Sequence, residues 1–161
     1  MIIAPRLPLS EDPLTTTIAV LEAVMLVYFL IDNHVPLWPW NHLQGVLTDW
    51  VSTVSGWVPG LFVLWSLCGG PPWALVVSTV WSWIWLLLQL NQWWRPYLFG
   101  RGPGAPDFDW YWTHGYAGTL KWLPVAAGRR PTPDAQHNVL QLLSLMIAVA
   151  LTIATARVLA A

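Results

Sequence analysis

The chain has 161 residues, 56% of them hydrophobic and 9% charged, with a formal net charge of −1. So little polar surface cannot coat a water-soluble globule of this size, which excludes a soluble domain and points to an all-helical integral membrane protein. The balanced charge, with no basic stripe interleaved with exposed aromatics, excludes nucleic acid as a partner.

A spanning helix needs about 20 apolar residues, because the hydrocarbon core is roughly 30 Å thick and each helical residue rises about 1.5 Å. Four runs meet that length, near residues 14–31, 46–68, 73–92 and 137–158, and predict one polytopic domain over residues 1–161. The first opens at Ser10-Glu11-Asp12-Pro13, which supplies a capping hydroxyl, acids for the positive end of the helix dipole and an early proline. Glu11 and Asp12 stand where a cleavable signal needs basic residues, so this run is read as a retained span. It ends at Asp32-Asn33, and the prolines of Pro36-Leu37-Trp38-Pro39-Trp40 forbid regular helix beyond it. In the second run, Gly56 and Gly60 permit close helix approach and Pro59 introduces a kink. The single cysteine, Cys68, excludes an intrachain disulfide and is assigned to packing. Gly69-Gly70-Pro71-Pro72 then forces an antiparallel hairpin into the third run.

Trp73, Trp81, Trp83, Trp85, Trp93 and Trp94 crowd the third run and its end, and no charge interrupts them. A helix aromatic nearly all round suits burial against another protein, a quinone or a pigment better than lipid alone. Residues 93–133 read as a mostly irregular segment, opening with Trp93-Trp94-Arg95-Pro96 and rich in glycine and proline as far as Pro106. From Asp107 the pattern changes. Phe108, Tyr111, Trp112 and Trp122 recur at roughly helical spacing behind an aspartate cap, which predicts an interfacial aromatic helix between the third and fourth spans. Thr132-Pro133-Asp134 opens the fourth span with a capping hydroxyl, a first-turn proline and an acid.

Four spans put both termini and the Gly69–Pro72 turn on one side, side A, and the two longer connections on side B. Side A holds Arg6 and Arg157, whereas side B holds Arg95, Arg101, Lys121, Arg129 and Arg130, so the positive-inside rule places side B in the cytoplasm. The patterns Trp93-Trp94-x-Pro96-Tyr97-x2-Gly100, Trp112-x3-Tyr116-x2-Thr119-x3-Leu123-Pro124 and Pro133-Asp134-Ala135-x-His137 resemble those of small four-span bacterial membrane proteins of unassigned activity. The resemblance covers about a third of the chain. It implies a bacterial inner membrane and a working surface on side B, and it carries no activity; Trp112 stands where that group more often has tyrosine.

Projection at about 100° per residue sets Asp134, His137, Gln141, Ser144, Ala148, Thr152 and Thr155 on one stripe of the fourth span. Ser78, Ser82, Trp85 and Gln89 share a face of the third, and Asp49, Thr53, Gly56 and Gly60 one of the second. These faces are expected to meet inside the bundle, either as a polar conduit or as interhelical hydrogen bonds worth about 0.6 kcal/mol each. Glu22 is the sharpest residue, since an ionised carboxylate inside a span costs about 2.5 to 3.5 kcal/mol. At its depth the other spans offer hydroxyls and no cation. It is read either as a protonatable group in a proton or cation path, or as a neutral acid bonding between helices or one lying near enough to side A to reach water.

His34, His42, His114 and His137 fall on side B with Asp32, Asp49, Asp107, Asp109 and Asp134, yet in no metal-binding spacing. His34, His42, His137 and Asp134 are the weak metal candidates, and His137 is the best axial ligand for a haem or chlorophyll. No nucleophile sits in an activating context, so no catalytic residue is assigned. The leading expectation is a non-enzymatic accessory or assembly subunit of an energy-transducing complex, respiratory or photosynthetic. Trp81, Trp83, Trp85, Trp93, Trp94, Trp110 and Trp112 would then face partner subunits or lipid. The alternative is a small transporter or proton channel, in oligomeric form, using Glu22, Gln89, His137 and Gln141; the third is a cofactor-binding membrane protein or membrane enzyme.

Overall fold

A computed structural model of the protein describes residues 12–125 and 127–160. Helices α1 (Pro13–His34), α2 (Val46–Leu67), α3 (Pro72–Phe99) and α5 (Ala135–Ala160) are each long and apolar enough to cross a bilayer, with mean hydropathies of 2.1, 1.3, 1.6 and 2.2. A six-residue helix α4 (Phe108–Thr113) and a 3-10 turn (Tyr116–Gly118) lie between α3 and α5, and the described residues hold no strand. The exposed surface of the four long helices is largely Val, Leu, Ile and Trp, as lipid contact requires.

The helices begin and end where local chemistry permits. Asp12 caps α1, accepting from Leu14 N (3.3 Å), Thr15 N (3.1 Å) and the Thr15 hydroxyl, with Pro13 in the first turn. Ser10, expected to contribute the capping hydroxyl, lies outside the described residues. Asn41 secures the far end of α1: its amide donates to Asp32 O (2.7 Å) and Val35 O (2.9 Å) while its Oδ1 accepts from Leu37 N (2.8 Å). At the start of α2 the Asp49 carboxylate reaches back to accept from Gln44 N (3.0 Å) and Gly45 N (3.1 Å).

Three expectations for the side-B half are corrected. Residues 93–99, read as irregular, continue α3, so the helix runs 28 residues, or roughly 42 Å, and rises past a hydrocarbon core of roughly 30 Å. Pro96 in its interior costs about 3 kcal/mol. Burying the Trp93 indole (3% exposed) returns on the order of 4 to 6 kcal/mol from its area, so packing wins. Second, the helix behind Asp107 stops at Thr113, where Gly115 in a left-handed conformation (φ 79°) turns the chain, and Trp122 lies outside any helix. Third, the fourth span is capped by Asp134, which accepts from His137 N (3.0 Å), rather than by Thr132; Pro133 precedes the helix.

In the bundle α1 packs on α2 and α5, and α3 on α5 and α2. Toward side A the core is Ile18, Val63, Leu67, Leu75, Ile147, Leu151 and Ala154. Ser78 Oγ donates to Ser66 Oγ (3.1 Å) there, and Thr79 pairs with Thr155 (2.7 Å), tying α3 to α2 and to α5. Toward side B a second core forms around Trp93, Tyr111 and Tyr116. Between the two cores α1 and α2 meet through the glycine pair: a methyl group at Gly56 would stand 2.7 Å from the Phe29 ring, and one at Gly60 would stand 2.5 Å from Glu22 Oε1 and 2.6 Å from Leu26 Cδ2. Gly60→Ala should therefore lower stability by about 1 to 3 kcal/mol through overpacking, read as a lower midpoint in thermal unfolding of the detergent-solubilised protein. The same substitution at Gly104, where nothing lies within 4 Å of the added carbon, makes no such clash and separates packing from backbone strain at its φ of 70°.

Candidate functional site

Glu22 projects from the middle of α1 and is 1% exposed. Neither carboxyl oxygen has a hydrogen-bond partner. It lies at the base of a cleft walled by Met25, Leu26 and Phe29 of α1, Ser55, Gly56, Pro59 and Gly60 of α2, Trp81, Ser82 and Trp85 of α3, and Leu140, Ser144 and Ile147 of α5. No cationic side chain lines it. Ser55 and Trp81 at its mouth are exposed, and so are the neighbouring Val54, Val58, Val77 and Ile84, so the cleft opens sideways between α2 and α3 onto the apolar face. The indoles of Trp81 and Trp85 stack at that mouth, 6.3 Å between centroids and 24° between planes.

The polar residues expected to share the interior are largely paired with one another. Ser82 Oγ donates to Ser78 O (2.8 Å), Gln89 Nε2 to Ser144 Oγ (3.0 Å), and Trp94 Nε1 to Gln141 Oε1 (2.6 Å). Gln89 Oε1 and Gln141 Nε2 are buried without partners. Thr152 departs from the expected stripe: it is exposed, and its hydroxyl accepts from Trp83 Nε1 (2.9 Å). A stripe projected from one helix cannot register a partner indole on the next. Gln89–Ser144 and Trp94–Gln141 thus form bonded rungs between α3 and α5, Ser82 bonds back within α3, and Ser78 ties α3 to α2, rather than lining an open conduit.

His137 belongs to a second constellation at the side-B end. Its Nδ1 lies 2.6 Å from Asp134 Oδ1, and Asp134 Oδ2 accepts from Thr119 Oγ1 (2.8 Å). The imidazole packs on Trp93 at a 36° tilt (3.9 Å) and meets Tyr116 edge-on (5.5 Å); Trp110 in turn stacks on Tyr116 (5.5 Å) and His114 (4.3 Å). Lys121 Nζ donates to Tyr116 O and Thr119 O, both at 2.6 Å. Backbone pairs Leu120 N to Pro39 O (2.7 Å) and Ala135 N to Leu120 O (2.8 Å) strap the two side-B connections to α5.

Burial acts to raise the Asp134 pKa, but the His137 imidazole and the hydrogen bonds from His137 and Thr119 outweigh it and hold the carboxyl below the usual aspartate range. Burial lifts the Tyr111 phenol to about 12, lifts Tyr116 as well, and lowers the Lys121 ammonium. Every partner of Asp134 here joins segments of the chain, so this constellation reads as a latch between α3, α5 and the loop.

The remaining candidates separate. His34 Nε2 pairs with Thr53 Oγ1 (2.9 Å) and the ring packs on Trp50 (4.4 Å), while His42 lies edge-on to Trp38 (6.3 Å). Among the described residues no three His, Cys, Asp or Glu side chains converge as a metal site. Trp93, assigned to partner or lipid contact, is buried and unavailable for either; Trp83 spends its indole donor on the exposed Thr152 hydroxyl and Trp94 on Gln141; Trp112 is 63% exposed. Compared with protein-family models, curated proteins and solved structures, the chain matches none.

Asp134→Ala should cost about 2 to 3 kcal/mol, since it strips a charged acceptor from three hydrogen bonds. Because the folded carboxyl titrates below its unfolded value, its contribution is present above that value and is lost as pH falls through the lower, folded one. Thermal midpoints of the wild-type protein should therefore drop below about pH 4, and those of Asp134→Ala should respond less there.

Proposed function

We propose that the protein is a small membrane transporter in which Glu22 alternately holds a proton and a substrate drawn into the cleft. One observation carries this reading: a carboxyl 1% exposed, mid-span, with neither oxygen bonded and no cation along the walls. A glutamate kept only as an interhelical bond would have its partner, and this one has none. An ionisable group that expensive inside a span marks a transport or relay site. The bonded rungs of α3 and α5 and the side-B latch then serve as the rigid frame against which α2 moves. Pro59 removes the helix donor to the Ser55 carbonyl, and Gly56 and Gly60 add freedom on either side, so the α2 wall of the cleft is where the bundle yields.

Infrared difference spectroscopy on the purified protein tests whether Glu22 exchanges protons with solvent. A protonated-carboxyl band should vanish as pH is raised and be missing from Glu22→Gln at every pH; a spectrum with no Glu22-dependent change across the titration sinks the proposal.

A second reading, an accessory or assembly subunit of a larger membrane complex, draws on the exposed indoles of Trp38, Trp112 and Trp122 around side B. Indoles at the interface also anchor a protein to headgroups, with no subunit beyond them. Gentle extraction followed by native mass spectrometry separates the two readings: a defined multi-subunit assembly favours the subunit, and a monomer or homo-oligomer favours the transporter.

For orientation we propose a bacterial inner membrane with side B cytoplasmic, from the excess of Arg and Lys on that side. Cys68, the single cysteine, is free and exposed at the side-A end of α2. A membrane-impermeant maleimide should label it in intact spheroplasts; labelling only after lysis reverses the orientation.

A further inference from the structure

Resting on the transport reading of Glu22, we infer that the cleft takes a lipophilic, monovalent organic cation, which enters from the membrane face between α2 and α3. The charge requirement comes from the carboxyl itself. α2, α3 and α5 present no titratable or cationic side chain to Glu22, and neither does its own helix, so a ligand that brings a positive charge supplies the missing partner and releases the proton. An inorganic cation fits poorly. It demands a shell of oxygens in exchange for its water, and the lining offers three serines, of which Ser82 is committed to Ser78 O and Ser144 accepts from Gln89. An organic cation sheds little hydration and buries its own apolar body against Met25, Leu26, Phe29 and Ile147.

The mouth fits the same class. Trp81 and Trp85 present stacked indoles beside the opening, and indole faces attract quaternary or delocalised cations, by about 0.5 to 2 kcal/mol per contact. The opening faces exposed valine and isoleucine rather than either end of the bundle, so a substrate dissolved in the bilayer reaches it without crossing water. The enclosed base has room for about one or two waters, so full entry needs α2 to swing outward at Pro59.

The test uses tetraphenylphosphonium and the full-length protein in detergent, with isothermal titration calorimetry and a pH electrode in weakly buffered solution. Saturable binding at pH 8 is expected, with proton release that rises toward one per cation as the solution becomes more acidic than the carboxyl. Affinity should fall toward tenfold per pH unit once the solution is more acidic than the carboxyl, because proton and cation compete for one site. Glu22→Gln should abolish saturable binding while keeping its helical circular dichroism and elution volume. Trp85→Ala, which leaves the carboxyl in place, should weaken binding about 3- to 30-fold. Absence of saturable binding at pH 8, binding unchanged in Glu22→Gln, or binding of a neutral quinone in its stead overturns the inference. If the infrared band of Glu22 titrates in the same preparation while the phosphonium fails to bind, the substrate class falls and the proton site stands; if neither is seen, both fall together.

Discussion

The close approach of α1 to α2 is the constraint on which the rest of the molecule depends. Gly56 and Gly60 remove the side chains that would hold the helices apart, and into that space α1 presses Phe29, Leu26 and Glu22. Without the approach, Glu22 would face lipid or turn toward an end of the bundle. With it, the carboxyl is walled by four helices and separated from every hydrogen-bond donor. A membrane interior punishes an unsatisfied polar group more than water does, so that isolation is maintained only because the packing around it leaves the side chain nowhere else to go.

The two ends of the bundle differ in how they are held. At side A, aliphatic side chains and hydroxyl pairs close the helices over a short turn. At side B the connections are long, and edge-on and tilted aromatic contacts join them through Trp93, Tyr116 and His137, with Asp134 and Lys121 gathering the surrounding hydrogen bonds. Asp134 caps α5, fixes the imidazole and accepts from Thr119 at once, so one carboxylate aligns a helix start, a ring and a loop. The α3–α5 pair is thereby tied at several heights, from Thr79–Thr155 to Trp94–Gln141. By contrast α2 carries a proline and two glycines beside the cleft.

Particular residues show how far the pattern along the chain could be read. Glu22 was legible because an acid in an apolar run is costly wherever the run sits, and Gly56-x3-Gly60 because small residues four apart make a flat helix face. Trp93 was misplaced because Pro96, three residues later, is a local breaker of known cost, whereas the gain from burying the indole depends on Tyr111, Tyr116 and His137 arriving from elsewhere in the chain. Trp122 kept the helical spacing of Phe108 and Tyr111 by coincidence, since Gly115 turns the chain between them. Thr152 sat on the polar stripe and faces outward, because Trp83 meets its hydroxyl there.

Residue order alone settled that four apolar helices form, roughly where they run, and that one of them carries an acid in mid-span, because hydropathy, length and charge are local sums over about 20 residues. It could not settle that the acid has no partner, that Ser82, Gln89, Gln141 and Ser144 are bonded in place, or that Trp81 and Trp85 flank an opening toward lipid. Those are distances between helices, set by which side chains interlock when all four pack at once, and no window along one helix contains them.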